Sequence, residues 1–410
     1  MAVLNESGLR TVDFSEVHAY EARMAFLRNI SRGEAAVDLA DAALQIAAED
    51  DALVSHSSVK LPVEAFHSRL ERLAEEVAEL RLRPLLARGA GDVELLEAVQ
   101  QYVLRDKGFR PTAFGRSNVP GHSLVESPGV WEDARNAYLN EVLIRRQGIP
   151  AILLILVADL LKRLLQKGVI DFVARQDVSD LGAMPQGELL WGLGRTAVLA
   201  SDGTVLNTCS SDTLVEVLRF LKRAYWPFPW DSRSGGFVGA AEAAVEGQQS
   251  SAELEAIART AQHRLERGIW TSPGAGDLRR AVAATERLVL LCGERYPKER
   301  RDLAVLYLHC GRREQARVEL EHFAKRATKE QENAPLWQSL HDQTLVDKLL
   351  QAVRAATPLE RQEGSLGSPG SSGSSSSAPC SSTVQLLTLE SALRQPPPRA
   401  DEGRRLPLTW

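Results

Sequence analysis

The chain has 410 residues, enough at about 150 residues per domain for two or three folded units. Its 44% hydrophobic and 25% charged content is ordinary for a globular protein, and its net charge of −5 disfavours a dedicated nucleic-acid binder. Four cysteines without a CxxC pair indicate neither a disulfide framework nor a zinc site and favour a reducing compartment.

The N-terminus and the most apolar stretch exclude the common targeting signals. The first 21 residues contain acidic side chains and no apolar run, so neither a secretory signal nor a transit peptide is predicted. Residues 149–158 form the longest apolar run, which is far shorter than the ~20 residues that cross a bilayer. We therefore expect a cytoplasmic protein, with a plastid as the alternative if the true start lies upstream.

Helical periodicity dominates the N-terminal part. Residues 21–48 alternate small apolar side chains with acids, and residues 62–82 carry one apolar stripe along a charged helix. The stripe consists of Phe66, Leu70, Leu73, Val77 and Leu80. A further helix is predicted from Asp92, as its N-cap, to Val103, and the Gly-, Pro- and Ser-rich residues 106–130 predict a surface loop.

The centre of the chain predicts two helices followed by strands. The helices, residues 131–146 and 151–165, meet at a tight Gly148-Ile149-Pro150 corner. β-Branched and aromatic residues then predict strands at residues 169–175, 189–193 and 197–200. An Asp202-Gly203 turn would continue the last strand into a hairpin, so the fold class is α+β and helix-rich.

The C-terminal part is predicted to be all-α over residues 251–355. Within it, small and large apolar residues have the spacing of a tetratricopeptide repeat, in which two antiparallel helices approach closely. The pattern consists of Leu303, Ala304, Tyr307, Gly311, Ala316, Leu320 and Phe323. Residues 356–410, rich in Ser, Gly and Pro, predict a disordered tail.

Residues 135–164, RNAYLNEVLIRRQGIPAILLILVADLLKRL, resemble the SirB-type family. Its members join a transglutaminase-like domain to tetratricopeptide-like helices and typically show the pattern RNSxLNxVLxRRxGIPxxL. Ala137 replaces the usual serine of that pattern, and the resemblance covers about residues 30–330. The motif positions that would define the fold are Asn136, Leu139, Asn140, Arg146, Gly148, Ile149 and Pro150.

The resemblance implies a degenerate transglutaminase-like (papain-like) domain followed by an all-α tetratricopeptide-like domain. The corresponding division is a flexible N-terminus (1–20), the transglutaminase-like domain (21–230), a linker (231–250), the helical domain (251–355) and the disordered tail (356–410).

Active transglutaminase-like folds use a Cys at a helix N-terminus, whose dipole lowers the thiol pKa, with a His and an Asp on following strands. The resemblance implies that the nucleophile would lie about one helix before the Gly148 corner, where residues 131–136 contain no Cys. The predicted strand 169–175, where the His would lie, contains no His. The sequence therefore favours a protein without this chemistry and leaves the question of enzyme activity open.

Three residues keep an enzyme hypothesis open. Cys209 precedes a predicted helix N-terminus that would activate a thiolate, although a small side chain closing a hairpin explains it more simply. His122 lies in a PGH sequence similar to one in the family. It precedes the corner instead of following it, so a histidine in a surface loop is the simpler interpretation. Asp202 would supply the third acid, although the turn by itself explains Asp-Gly. The alternative function is a thiol-dependent transamidase or amide hydrolase.

The preferred hypothesis is a non-catalytic scaffold that binds a protein or peptide, with no cofactor, metal, nucleic acid or membrane as partner. Trp226, Trp230 and Tyr307 are the candidate partner-binding residues, and packing between the two domains is the other interpretation of the aromatic cluster. Arg146 complements the dipole of the helix that it ends and is also a candidate partner contact. An adaptor in regulated protein turnover is a second alternative.

Overall fold

The computed structural model describes the helical body of the protein. The described residues are 3–4, 10–11, 14–33, 36–55, 59–112, 133–175, 197–200, 211–226, 277–330, 346–351 and 353–354. The chain divides into two compact units, and all of these residues lie in the first, Met1–Ser371. Most of them are helical, which confirms the prediction of a helix-rich protein.

The α-helices of the described part are, in chain order, α1 (Ser15–Ile30), α2 (Leu39–Ser55), α3 (Val63–Val77), α4 (Arg83–Ala87), α5 (Asp92–Gln101), α6 (Leu139–Arg145), α7 (Pro150–Gln166), α8 (Asp212–Tyr225), α9 (Leu278–Cys292), α10 (Pro297–His309) and α11 (Arg313–Glu330). Residues 346–351 and 353–354 are helical as well. Two π-helical turns, Ala78–Leu82 and Tyr102–Asp106, follow α3 and α5 directly. A 3-10 turn, Ala134–Ala137, precedes α6. None of the helices in these ranges combines the length and apolarity needed to cross a bilayer.

The strands of the described part are short and form pairs. They are β1 (Val3–Leu4), β2 (Arg10–Thr11), β3 (Arg110–Pro111), β4 (Gln147–Gly148), β5 (Phe172–Arg175) and β6 (Ala197–Ala200). β1 pairs antiparallel with β2, β3 parallel with β4, and β5 antiparallel with β6, with Phe172 opposite Ala200. β5 and β6 confirm two of the predicted strands, whereas the strand at 189–193 and the turn at 202–203 lie outside the described residues.

α7 is the central helix because it is apolar on every side. All residues from Pro150 to Leu161 are buried, and the helix contacts α2, α3, α5, α6 and α8. Pro150 occupies the first helical position, where its missing N–H breaks no hydrogen bond, and Gly168 follows the helix end with a φ of 66°. The prediction of a buried helix here is confirmed.

The first π-helical turn changes which face of the α3 segment is buried. Leu70, Leu73 and Val77 of the predicted stripe are buried, but Leu80 is 66% exposed and Leu82 is fully buried. A π turn bonds residue i to residue i+5 and so adds one residue to the turn, which brings Leu82, five residues after Val77, to the buried face in place of Leu80. The prediction that Leu80 belongs to the buried stripe is therefore wrong, because it assumed one helical period throughout.

Two predicted boundaries also shift. Gly91, not Asp92, is the N-cap of α5, and Asp92 is its first helical residue. The predicted helix at 131–146 is divided, because Tyr138 has extended backbone between the 3-10 turn and α6. Residues 113–132, which include much of the predicted loop, lie outside the described ranges.

The C-terminal helices form a hairpin against α8 and α9. α10 and α11 are joined by a three-residue turn in which Gly311 has a φ of 70°, and α9 packs on both α8 and α10. Leu303, Ala304, Ala316 and Leu320 of the predicted repeat pattern are fully buried in this packing. The spacing therefore marks the contact face of the hairpin, while its assignment to the tetratricopeptide class stays a prediction.

A buried cluster of charged side chains joins the N-terminal helices to α9. Arg23 of α1 binds Glu49 of α2, with an Nη2–Oε1 distance of 2.5 Å, and also binds Glu286 of α9. Arg287, the next residue of α9, binds the other oxygen of Glu49. Glu49 is 1% exposed and Arg287 is 2% exposed. Since each charge would be uncompensated without its partner, the cluster fixes how these three helices pack.

Three further ion pairs connect helices from either side of the predicted linker. Arg280 of α9 donates to both oxygens of Asp50 of α2, at 2.6 and 2.5 Å. Lys222 of α8 donates to Glu299 and Asp302 of α10, at 2.6 and 2.8 Å. Burial opposes the charge on Lys222, but the two carboxylates outweigh it and raise the pKa of the ammonium group. The two predicted domains thus share one interior over the described residues.

We expect Glu49→Gln to lower the free energy of unfolding by about 3–5 kcal/mol, because it leaves the buried Arg287 without a counter-charge. Urea denaturation measures the change. The matched control is Glu94→Gln, which breaks the exposed pair with Arg88 and should lower the free energy by less than about 1 kcal/mol. Equal effects of the two variants would contradict a structural role for the cluster.

Candidate functional site

The Gly148 corner is a sharp turn between α6 and α7 that backbone hydrogen bonds hold in place. α6 ends at Arg146, whose φ of 58° lies in the left-handed region that glycine favours. The Arg110 N–H donates to the carbonyl of Arg146 at 2.9 Å, and the Thr112 N–H donates to that of Gly148 at 2.8 Å. The pairing of β3 with β4 therefore fixes the corner to the segment that follows α5.

The other motif residues lie together around this corner, largely buried. The Ile149 N–H donates to the carbonyl of Asn136 at 2.8 Å, which ties the start of α7 to the 3-10 turn. Asn136, Leu139 and Asn140 are 2%, 0% and 8% exposed. The motif that carries the family resemblance thus builds the packing between α6 and α7.

The two helices approach so closely at Gly148 that there is no room for a Cβ atom at this position. A Cβ there would lie 2.7 Å from Cγ2 of Ile152 and 2.8 Å from Cγ2 of Val142. Both neighbours are themselves fully buried, so they have little room to move. Glycine at this position is therefore a packing requirement.

The candidate catalytic residues Cys209, His122 and Asp202, together with Trp230, lie outside the described residues. The described part of the α3–α7 region contains His67, which lies on α3 among charged neighbours. Its Nε2 is 3.3 Å from Oδ1 of Asp41, and Nη2 of Arg163 is 3.4 Å from its Nδ1. The hydrogen bond with Asp41 raises the pKa of His67 and outweighs the opposing effects of burial and Arg163. These contacts orient the ring between α2 and α7.

Cys292 is a poor nucleophile in this structure. It is 2% exposed in α9, and its Sγ donates to the carbonyl of Leu288 at 3.2 Å. Burial raises the pKa of the thiol to about 12, whereas reactive cysteines have a lowered pKa. No group of three or more His, Cys, Asp and Glu side chains within the described ranges is arranged to hold a metal ion.

Two of the candidate partner-binding residues are core residues. Trp226 is 2% exposed, and its ring lies 5.4 Å from that of His309 of α10. Tyr307 is fully buried, and its hydroxyl donates to Glu286 at 2.8 Å. Because neither side chain reaches the surface, the prediction that they contact a partner is corrected. Packing between the two predicted domains, the other interpretation, describes Trp226.

A cavity of about 210 Å³ adjoins the corner on the side of α3. It is lined by Arg69, Arg72, Leu73, Glu76, Lys107, Phe109 and Arg146. Sequence reasoning missed this site because only the fold brings residues from three distant segments together. Its one local signal is the spacing of Arg69 and Arg72, which lie one turn apart on α3.

Comparison with known proteins identifies the region that contains these features. Residues 64–167 match the family model described as the transglutaminase-like superfamily. The match begins in α3 and ends just after α7, so it includes the corner and the cavity. No curated protein and no solved structure matches the chain significantly. The protein therefore contains a transglutaminase-like domain within a helix-rich architecture.

We expect Gly148→Ala to lower the free energy of unfolding by about 1–3 kcal/mol, because the added methyl group overlaps Val142 and Ile152. Thermal and urea denaturation measure the effect. The control is Gly91→Ser at the N-cap of α5, where a Cβ meets open space and serine is a favourable cap, so the change should stay within about 0.5 kcal/mol. A Gly148→Ala variant as stable as the parent would refute the close-approach explanation.

The raised pKa of His67 predicts a pH-dependent contribution to stability. The folded state holds the His67 proton more tightly than the unfolded state, so this contribution is complete below the unfolded pKa of about 6.5 and is lost as pH rises through the folded pKa. Urea denaturation of the parent and of His67→Gln between about pH 5.5 and 8.5 should show the parent losing its advantage as pH rises. A difference in unfolding free energy that does not change with pH would contradict this.

Proposed function

We propose that the protein is a non-catalytic scaffold that binds a protein or peptide partner, built on a degenerate transglutaminase-like domain of the SirB type and tetratricopeptide-like helices. One observation carries the proposal: the segment that matches the transglutaminase-like superfamily, residues 64–167, contains no cysteine. The family resemblance implies that the thiol nucleophile of an active member would lie within that segment, about one helix before the Gly148 corner. A domain of this kind without its nucleophile is the basis of the proposed scaffold.

One of the two described cysteines outside that segment gives further support. Cys292 lies in α9 with a raised pKa, and its thiol donates to a carbonyl of its own helix. The described histidine of the segment, His67, is held by Asp41 and Arg163, in the arrangement of a structural ion network. Neither residue has the environment of a catalytic pair.

The shared interior supports a scaffold role because it makes the helical body rigid. Ion pairs connect α1 and α2 with α9 and connect α8 with α10, so surfaces contributed by distant parts of the chain keep a constant relative position. A preorganised surface loses less conformational entropy on binding a partner. Deleting residues 250–355 would remove a charged partner from each of Glu49, Asp50 and Lys222, so point variants are better tests than truncation.

Thiol reactivity distinguishes the scaffold from the alternative thiol enzyme. The pH dependence of each alkylation rate with iodoacetamide reports the pKa of that thiol. We expect this pKa to be at or above the unperturbed value of about 8.5 for every cysteine. Mass spectrometry of the alkylated chain at several pH values measures each rate separately. Cys380→Ala is the matched control for Cys209→Ala. A Cys209 thiol that titrates below about pH 7, with amine incorporation that Cys209→Ala abolishes and Cys380→Ala retains, would overturn the proposal.

The scaffold role also predicts that partner capture is independent of thiol chemistry. Affinity purification with the parent, Cys209→Ala and Cys380→Ala, compared by quantitative mass spectrometry, should recover the same bound proteins with all three chains. Proteins recovered with the parent and with Cys380→Ala but lost with Cys209→Ala would indicate covalent capture and would favour the enzyme.

A further inference from the structure

We propose that the cavity beside the Gly148 corner binds a phosphoryl group. Arg69 and Arg72 come from α3, Lys107 from the end of the second π-helical turn, and Arg146 from the end of α6. Four cationic side chains thus line a space of about 210 Å³. This proposal is independent of the scaffold function.

Three of these cations lack a counter-ion in the structure. Within the described part of the chain, the side chains of Arg69, Arg72 and Arg146 form no hydrogen bond or ion pair. Arginines nearby behave differently, because Arg81 binds Asp106 and Arg163 binds both Asp159 and Glu71. Guanidinium groups that gather at one cavity without acidic partners create a local positive potential that favours an anion.

The carboxylate that lines the cavity makes its hydrogen bonds to other groups, although its charge also attracts Arg72, four residues earlier on α3. Glu76 binds the ammonium group of Lys107 and accepts from the Tyr102 hydroxyl at 2.9 Å. These two hydrogen bonds, with Lys107 first, lower the pKa of Glu76, so it stays ionised and occupied. The lining of four cations and one carboxylate therefore keeps a net excess of three positive charges.

The charge and shape of the cavity fit a phosphoryl group better than a carboxylate. A phosphomonoester carries about −1.5 to −2 charges at pH 7 and offers three acceptor oxygens, which matches three guanidinium groups. A carboxylate offers two oxygens and one charge, which a single arginine satisfies. The cavity is smaller than the roughly 300–1,000 Å³ typical of drug-sized ligands, so it accommodates the phosphoryl group while the rest of the ligand stays outside.

The backbone at Arg146 gives an independent reason to assign a role to its side chain. Its φ of 58° is a conformation in which glycine is favoured and a side chain is strained. An arginine at this position therefore works against local stability, which a ligand-binding role explains. The β3–β4 hydrogen bonds hold its backbone, so its guanidinium group projects from a rigid corner.

Leu73 and Phe109 form the apolar part of the cavity wall and are 9% and 3% exposed. Apolar surface beside the cations lowers the local dielectric and strengthens the attraction to a bound anion. Arg72 and Arg146 are exposed, so a ligand reaches the cavity from solvent.

Isothermal titration of the full chain tests the proposal with inorganic phosphate, free phosphoserine and a phosphoserine peptide as probes, in buffer without other oxyanions. We expect at least one probe to bind, and Arg72→Gln and Arg146→Gln each to weaken its binding by about tenfold or more. The matched control, Arg88→Gln, removes an arginine that is paired with Glu94 and should change the affinity by less than about twofold.

The probes also distinguish the source of the phosphoryl group. Equal affinity for phosphoserine and the peptide identifies a free phosphomonoester as the ligand, and a peptide that binds at least about tenfold more tightly identifies a phosphorylated protein segment. Both outcomes support the site. Absence of binding by all three probes at millimolar concentration, or equal weakening by Arg88→Gln, would overturn it.

Arg146→Gly separates ligand binding from folding. Glycine relieves the left-handed backbone, so the thermal unfolding midpoint should rise or stay the same while phosphoryl binding weakens as in Arg146→Gln. A variant that is more stable and binds the probes as tightly as the parent would show that Arg146 does not contribute to the site.

Discussion

The carboxylate of Glu49 lies between two guanidinium groups, Arg23 of α1 and Arg287 of α9, in an interior from which water is excluded. A charge in this position is stable only when its partners are present in the right geometry. Helices that begin near the N-terminus therefore need a helix more than 200 residues later to complete their core, since Glu49 and Arg287 are 238 residues apart. The transglutaminase-like segment is one part of a larger interior.

That interior positions the surface features of the corner. α7 is buried from Pro150 to Leu161, and its first turn, the 3-10 turn and β4 converge on Gly148. The rigid side of this corner faces the core, while its exposed side carries Arg146 beside the cations of α3. The residues with the family pattern thus have two uses: apolar and amide side chains hold the helices together, and one arginine faces solvent.

Local patterns in the sequence predicted the parts of the fold that depend on neighbours along the chain. The buried α7, strands β5 and β6 and the contact face of α10 and α11 all follow from periodicity and composition. The ion clusters and the cavity do not, because they join residues that no spacing relates. The same limit explains Trp226 and Tyr307, since an aromatic side chain carries no local sign of whether it faces a partner or the core. Whether Cys209, His122 and Asp202 meet depends on residues outside the described ranges.

The π-helical turn at Ala78–Leu82 sets how the helix that follows it is rotated relative to α3. One residue of an α-helix corresponds to a rotation of about 100°. Because the π turn bonds residue i to residue i+5, it accommodates one residue more per turn than an α-helix does. Removing a single residue from this turn would let the helix continue with ordinary α-helical hydrogen bonds and would keep Leu82 on the buried face. The turn therefore absorbs an extra residue without changing the face that the following helix presents, which makes it a point where the chain tolerates a one-residue change in length.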